Sequence, residues 1–587
     1  MKKVGIAFGD FVTEERMNRR RGGGSGAIGE ILGVFPLFVL GIAFSFLFAR
    51  LFYIQIIRGD YYKKLSDSNR TLTKILPAPR GIIFDHTGKK LVSNSPAFFI
   101  LDKGVVKNLD ENEALSRLSL GVPVENEIKR EYLYKDAAAH VLGYVGKVSS
   151  EEVNLPAFED YETTDDAGKT GLEKEYETVL HGKNGRELFE VDSKGKIVKK
   201  LGRQDPTDGK NITTTLDLTI QLAAYNAMKN VKKGAVVVSD PRDGGIRALF
   251  SKPSFDPNIF IRSKNYEGIG DYKTRESILL DSENNPLLNR AIGGVYPPGS
   301  TFKLVTAIAS LEKGAINPST KITDTGILKV GDFSFGNWYF LQYGKTDGEI
   351  DIVGAIKRSN DIFFYKAAEG AGVDFISSWA KNLGLGERLG IDLQGEVAGT
   401  VPTPEWKEKT LGEQWYLGDT YNYGIGQGYL LTTPLQVNFW TSVFANDGTL
   451  YRPHLIDGKK ETIKKNFLKK EYVDLVREGM RQSCDAGGVA WPFFQFKVEN
   501  SKLKVDGIDY VDASSGSAKM VQIKLGCKTG TAEIGGKETK PHAWITVFAP
   551  FYHPEVVVTV LVENGGEGSS FAGPIAKEIL TKYFEAK

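Results

Sequence analysis

Between Ile31 and Ala49 the chain carries 19 consecutive residues without a charge, and this run constrains the fold more than any other feature of the sequence. As a helix it extends about 28 Å, close to the roughly 30 Å of a bilayer core, so one segment is expected to cross a membrane. A cleaved leader has a shorter apolar core and a small-x-small exit, whereas this run continues directly into Arg50, Leu51, Phe52 and Tyr53. The reading is an uncleaved helical anchor over 31–52, preceded by a tail over 1–30. Basic residues do not orient it, because Arg16, Arg19, Arg20 and Arg21 before the span are matched by Arg50, Arg58, Lys63 and Lys64 after it. No second apolar run of comparable length follows, so the rest of the chain is expected on one side of the membrane.

At 587 residues the chain is too long for one hydrophobic core and is expected to form two or three domains. From about residue 60 to 225 it is polar, with strand-like pieces such as Gly81 to Phe84 and Ala97 to Leu101 between turns, and a low-complexity stretch at Thr163 to Lys169. From Gly234 the character changes. Ala235 to Val238 is a short β-branched run that reads as a buried strand, and long helical patterns follow. Ala543 to Ala549 and Val556 to Val562 read as two apolar strands, and Pro574 to Phe584 as a closing helix with proline in its first turn. The pattern predicts helices on an antiparallel sheet, with no internal repeat. With 75 basic and 73 acidic residues the net charge is +2, so no global field draws the protein to nucleic acid. Cys484 and Cys527 are the two cysteines and form no CxxC, so no disulfide framework or structural zinc site is written here. The six histidines fall at no ligand spacing, and no metal or cofactor is expected.

Nucleophile chemistry is indicated at Pro297-Pro298-Gly299-Ser300-Thr301-Phe302-Lys303. The prolines and glycine stop the preceding segment, and Leu304, Val305, Ile308, Ala309 and Leu311 then mark an apolar helical face ending at Lys313-Gly314. A spacing of three places Lys303 one turn beyond Ser300, where an amine depressed by burial can take the hydroxyl proton. The same spacing recurs at Ser193/Lys196, Ser310/Lys313, Ser378/Lys381 and Ser501/Lys504, and any one such pair alone reads as a surface pair. Two later segments single out Ser300. Ser359-Asn360-Asp361 opens a second helix 59 residues on, and by itself reads first as an N-cap. Lys528-Thr529-Gly530-Thr531 precedes the terminal strands and is expected on a sheet edge with Lys528 facing a cleft. A second Lys-Thr-Gly, at Lys169 to Gly171, lies upstream in a charged, loop-like neighbourhood and reads as structural.

Ser-x-x-Lys, Ser-x-Asn/Asp and Lys-Thr-Gly in this order resemble the set shared by penicillin-binding proteins and class A β-lactamases. Asn69-Arg70, Pro79-Arg80-Gly81-Ile82-Ile83, Asp85 and Gly168 to Glu173 are similar to the pedestal of class B penicillin-binding proteins. Asn289 to Lys303, Gly424 to Gly428 and Thr433 to Gln436 resemble the family's catalytic segments, while Trp415 to Thr420 and the aspartate at Asp361 are most like the elongation type. The resemblance implies an α+β multidomain protein: a cytoplasmic tail over 1–30, a transmembrane helix over 31–52, a β-rich elongated pedestal (dimerisation) domain over 53–229, and a serine β-lactamase-like transpeptidase domain over 230–587. It implies a peptidoglycan D,D-transpeptidase of the cell membrane with its catalytic domain outside the cytoplasm, acting on stem peptides, acylated by β-lactams, and partnered by a RodA-type polytopic glycosyltransferase.

The resemblance also implies roles. Ser300 is the nucleophile, Lys303 the base and Ser359 the proton relay, while Lys528 and Thr529, with Gly530 and Thr531, bind the substrate; the N–H groups of Ser300 and Thr531 form the oxyanion hole. Asp361 accepts from Lys303 rather than donating to the peptide. Some elongation-type members bind zinc between the first two motifs, but residues 304–358 contain no His or Cys and no zinc is expected. The segment Ala486 to Lys519 is longer than the family pattern and has no assigned role. A β-lactamase would be about half this length and would need a Glu-x-x-Leu-Asn that is absent. A carboxypeptidase would not need the pedestal, and a division-type transpeptidase or a non-catalytic β-lactam receptor are the remaining alternatives. A triad hydrolase lacks its G-x-S-x-G.

Overall fold

The computed structural model describes residues 28–587 except 103–104, 110, 159–160, 162–164, 193, 262–265, 500–519 and 536–538. Ser193, the pair Ser501/Lys504, most of the tail, part of the Thr163 to Lys169 stretch and residues 500–519 of the Ala486 to Lys519 segment therefore lie outside the described residues. Contacts divide the chain into two compact units, Met1–Ile75 with Arg186–Gln204, and Leu76–Gly185 with Asp205–Lys587.

In the first unit the uncharged run lies within a helix, α1 (Ile28–Phe52), extended by a wider π turn at Tyr53–Ile57 and a polar helix at Gly59–Arg70. Pro36–Ile57 is long and apolar enough to cross a membrane, and no protein core covers it. Leu37, Phe38, Phe46 and Phe48 point outward, as expected where lipid rather than protein is the solvent. Three strands complete this unit: Gly185–Val191 pairs with both Thr71–Leu76 and Ile197–Gln204. Arg70 meets Glu190 at 2.9 Å.

The second unit begins with the pedestal-like segments. The strand Lys90–Asp102 pairs with Ile83–Phe84, Val105–Leu109 and Glu125–Tyr132. The two pedestal signatures meet around a buried charge cluster. Arg80 contacts Glu177 at 2.7 Å and Glu173 at 2.9 Å, and Arg130 reaches the other Glu173 oxygen at 2.6 Å. Glu173 is fully buried between these two guanidinium groups, so each charge has a partner in place of water. The Lys-Thr-Gly at Lys169 to Gly171 belongs here, with Lys169 paired to Glu152 and Gly171 turning at φ 60° against Gly143.

The C-terminal part is a five-stranded antiparallel sheet between two helical layers. Its strands are β1 (Gly234–Ser239), β2 (Ile246–Lys252), β3 (Gly526–Ala532), β4 (His542–Ala549) and β5 (Val556–Val562), ordered β2-β1-β5-β4-β3. Both faces are covered, which is why β1, β4 and β5 read as continuous apolar runs rather than alternating ones. Alternation survives in what each side chain touches. Val236, Val238, Ile545 and Val558 face the core of α2 (Leu218–Ala227) and the C-terminal helix Gly568–Glu585. Val237, Trp544, Phe548 and Val557 face the opposite core, formed by α3 (Lys303–Lys313), α4 (Ile352–Arg358), α5 (Asp361–Ala371), α6 (Pro434–Ala445) and α7 (Lys470–Ser483).

One expectation needs correction. The closing helix starts at Gly568, six residues before Pro574, so the proline lies in its second turn and gives up one internal hydrogen bond. The start is pulled upstream because Gly568 packs against β3: a Cβ there would approach the Gly530 oxygen to 2.5 Å. The state of the two cysteines, which their spacing does not reveal, is decided by the fold: they are joined to each other across 43 residues, with a Cα–Cα distance of 5.6 Å. Cys484 caps α7 and Cys527 immediately precedes Lys528 on β3, so the bridge ties a helix end to the edge strand. Sequence spacing carried no sign of this, because the approach is made by packing of helix on sheet. Lys497–Glu499, within the segment that had no assigned role, pairs with Met520–Gln522, just after it, as a short antiparallel ribbon.

Candidate active site

Ser300 lies half-buried in a tight turn, Gly299–Phe302, that runs directly into α3. Gly299 makes the turn possible. It adopts φ 53°, and a Cβ on it would come to 2.8 Å from the Thr531 carbonyl of β3. On the other side its N–H donates to the Gly426 carbonyl at 2.9 Å, and Gly426 itself, at φ 79°, leaves no room for a side chain beside the Gly299 oxygen. The turn is thus pressed between the edge strand and the glycine-rich segment, and the Trp544 indole holds it to the sheet by donating to the Pro297 carbonyl at 2.9 Å.

Lys303 opens α3 and is fully buried, inside a core where an unpaired ammonium would be costly. It donates to the Ser359 carbonyl at 2.7 Å and to Asp361 Oδ1 at 2.6 Å, and its Nζ is 3.4 Å from Ser359 Oγ. Ser359 is held in the left-handed region, φ 53°, between the end of α4 and the start of α5. A non-glycine residue is strained there, and this backbone turns the Ser359 carbonyl toward Lys303 and its hydroxyl between Lys303 and Lys528. Asn360 is the N-cap of α5, accepting from the Phe363 N–H at 2.9 Å, so the second motif both caps a helix and lines the site. From the sheet edge Lys528, also fully buried, donates to Ser359 Oγ at 2.9 Å and to the Thr529 carbonyl at 2.8 Å.

Burial pushes the Lys303 ammonium below the ordinary lysine value, an effect partly offset by the charge and hydrogen bond of Asp361. Lys528 is driven well below that value by burial first and then by the neighbouring charge of Lys303. One carboxylate faces two buried amines, so at least one is poised to be neutral and to accept a proton. The Ser359 hydroxyl bridges them.

The structure brings Lys303, Ser359, Asp361 and Lys528 into one hydrogen-bonded group, with the Ser300 turn packed against β3 and Thr529 and Gly530 on that strand. Thr531, at its exposed end, lies beside Gln427, whose side chain donates to the Thr531 carbonyl at 3.4 Å. The competing pairs are spent elsewhere: Ser310 donates to the Ala367 carbonyl inside the helical core, and Ser378 to the Phe375 carbonyl. Two residues next to Asp361 escaped the sequence reading. Asn337 Oδ1 accepts the Asp361 N–H at 3.1 Å, and the Trp338 N–H donates to Asp361 Oδ2 at 2.9 Å. They lie more than twenty positions upstream with no motif around them, and no sequence pattern marks the contact. Among the described residues, no three His, Cys, Asp or Glu side chains are grouped to hold a metal ion.

Fold and site together are those of a penicillin-binding serine transpeptidase. Comparison with known proteins leads to the same class. The family model for the penicillin binding protein transpeptidase domain matches residues 234–581, and that for the penicillin-binding protein dimerisation domain matches 101–214. The chain belongs to the penicillin-binding protein family. It is 34% identical to the peptidoglycan D,D-transpeptidase MrdA of Haemophilus influenzae, over 92% of this chain and 89% of that protein. The penicillin-binding protein PBP2 of Helicobacter pylori, solved in complex with MreC, superposes with a TM-score of 0.72 at 28% identity, covering 88% of this chain and 99% of that one. A structure described as the structural coordination of polymerization and crosslinking by a peptidoglycan synthase complex gives a TM-score of 0.71 at 28% identity, covering 96% and 99%.

Proposed function

We propose that Ser300 is the nucleophile of this transpeptidase and that Lys303, Ser359, Asp361 and Lys528 serve it. The protein is an elongation-type peptidoglycan D,D-transpeptidase. The observation that carries the assignment of roles is the sharing of one hydroxyl, Ser359 Oγ, by two buried lysines at the foot of the Ser300 turn. In this reading the Lys303 amine takes the Ser300 proton as Oγ attacks the penultimate D-alanine carbonyl. The N–H groups of Ser300 and Thr531 receive the developing oxyanion. As the C–N bond breaks, the proton passes through Ser359 to the departing D-alanine amine. An amine from a second stem peptide then attacks the ester, gives its proton to the same relay, and frees Ser300. Lys528 and Thr529 receive the substrate carboxylate, whose arrival supplies the negative charge that a second buried ammonium lacks. Gly530 lets the Ser300 turn pack on the edge strand, since a Cβ there would approach the Pro298 carbonyl to 2.9 Å.

The proposed layout is a tail over 1–30, an anchor over 31–52, a pedestal over 53–229 and a transpeptidase domain over 230–587, with everything after the anchor outside the cytoplasmic membrane. The Cys484–Cys527 disulfide supports that side, because such bridges persist in oxidising compartments. Nothing between the anchor and residue 225 resembles a glycan polymerase, so the strands to be joined come from another protein. A RodA-type polytopic glycosyltransferase is the proposed partner, in line with the described pairing of polymerization and crosslinking in the synthase complex. Reconstitution with such a polymerase on lipid II tests the reading. Cross-linked dimers in the digested product are expected; release of D-alanine without dimers, in the presence of suitable acceptors, would replace it with a carboxypeptidase.

A further inference from the structure

Behind the second motif lies a buried polar cluster that the acylation chemistry does not use. Asp324, Asn337 and Asn360 are almost completely removed from solvent, among apolar neighbours where each unmet hydrogen bond would be costly. All are satisfied by one another and by neighbouring backbone N–H groups. Asp324 Oδ2 accepts from Asn337 Nδ2 at 2.7 Å, from Asn360 Nδ2 at 2.9 Å and from the Asp347 N–H at 2.9 Å. Asn360 Nδ2 also donates to Asp347 Oδ2 at 2.9 Å, and Arg358 Nε closes the far end on Asp347 Oδ1 at 2.9 Å. The near end is the active site: Asn337 Oδ1 accepts from the backbone N–H of Asp361, while the adjacent Trp338 N–H grips that residue's carboxylate. The Trp338 indole then returns to the Arg358 carbonyl at 3.0 Å, one residue before Ser359.

We propose that Asn337 is a positioning residue for acylation, fixing Asp361 from behind so that its carboxylate stays on the Lys303 amine. The inference rests on the roles proposed above for Ser300 and Lys303. Asn337 touches neither nucleophile nor base. It holds the backbone of Asp361, and its own amide is aimed by Asp324, which is in turn tied through Asn360 and Asp347 to Arg358. Loss of the Asn337 side chain frees Asp361 to turn away, weakens its support of the Lys303 ammonium and lets that amine lose its proton more readily.

The test uses the purified full-length protein and the second-order rate of labelling by a fluorescent penicillin, followed against pH. Asn337→Ala is expected to slow labelling roughly tenfold and to move the rising limb of the profile to lower pH, the same direction as expected for Asp361→Asn. In the Asp361→Asn background the same substitution should move the limb no further, because the group it acts through has lost its charge. An unmoved limb, or an equal rate loss in both backgrounds, reduces Asn337 to a structural residue and overturns the proposal. Should Asn337→Ala not fold, Arg358→Gln decides: its partly exposed side chain cuts the far end of the same chain, and a smaller shift in the same direction is expected, while an unchanged limb refutes the idea. Ser300→Ala is run alongside. Label retained there overturns the nucleophile itself, whatever Asn337 does.

Discussion

At the scale of single residues the site works by confining charge. Five Ser-x-x-Lys spacings occur in the sequence, but the described structure leaves one with its lysine buried beside a carboxylate and a second lysine. Ser300→Ala is therefore expected to abolish covalent penicillin labelling, while Ser310→Ala, which removes a hydrogen bond inside the helical core, leaves labelling intact on a gel of the treated protein. The pH dependence follows from the sign of the shift. Lys303 acts as base only when neutral, and burial places its titration below the ordinary value of 10.5, so labelling should rise with pH along a limb centred below that value. Asp361 favours the ammonium, and Asp361→Asn should move this limb to lower pH. A limb moving upward would mean that Asp361 does not bear on the base. Residue type and order singled these groups out as candidates. Ser359's left-handed backbone and the hold of Asn337 on Asp361 were not legible there, because they depend on a helix end and a distant loop meeting in space.

Elements carry the next level of control. Strand β3 is an edge strand, paired with β4 on one side, and its Lys528 side chain leaves the sheet to meet Ser359. The Cys484–Cys527 bridge fastens its beginning to α7 and closes a loop of 43 residues. The double substitution Cys484→Ser/Cys527→Ser is expected to cost about 2–4 kcal/mol, read as a lower urea midpoint, and the wild type unfolded under reductant should approach the same midpoint. An unaltered midpoint would mean that the bridge adds nothing to stability. The pedestal signatures make a parallel case. Glu173→Gln leaves Arg130 buried without a carboxylate and Arg80 with Glu177 alone, and about 3–5 kcal/mol of stability should be lost in the same measurement. A loss below about 1 kcal/mol would show that water reaches the cluster.

For the molecule as a whole the decisive question is which side of the membrane holds residues 60–587. A cross-linking enzyme must meet its peptide substrate outside the cytoplasm, and the charges flanking α1 do not choose. Protease added to intact spheroplasts is expected to degrade this part of the chain, as followed by immunoblot. Protection in intact spheroplasts that is lost on lysis would place the catalytic unit inside and refute the assigned topology.

Local chemistry was enough to mark the apolar span and the β-branched core strands, while the Ser300, Ser359 and Lys528 segments stood out by their order and the family resemblance it carries. Those are properties of short windows: a helix needs about twenty apolar residues to cross lipid, a strand covered on both faces reads as an unbroken apolar run, and Ser-x-x-Lys spans one helical turn. Only the tertiary structure decided which lysine is buried, that Cys484 reaches Cys527, that the last helix begins at Gly568 against β3, and that Asp324, Asn337 and Asn360 close behind Asp361. Each of these joins residues far apart in the chain, and such contacts are set by how helices pack on a sheet rather than by any pattern along it.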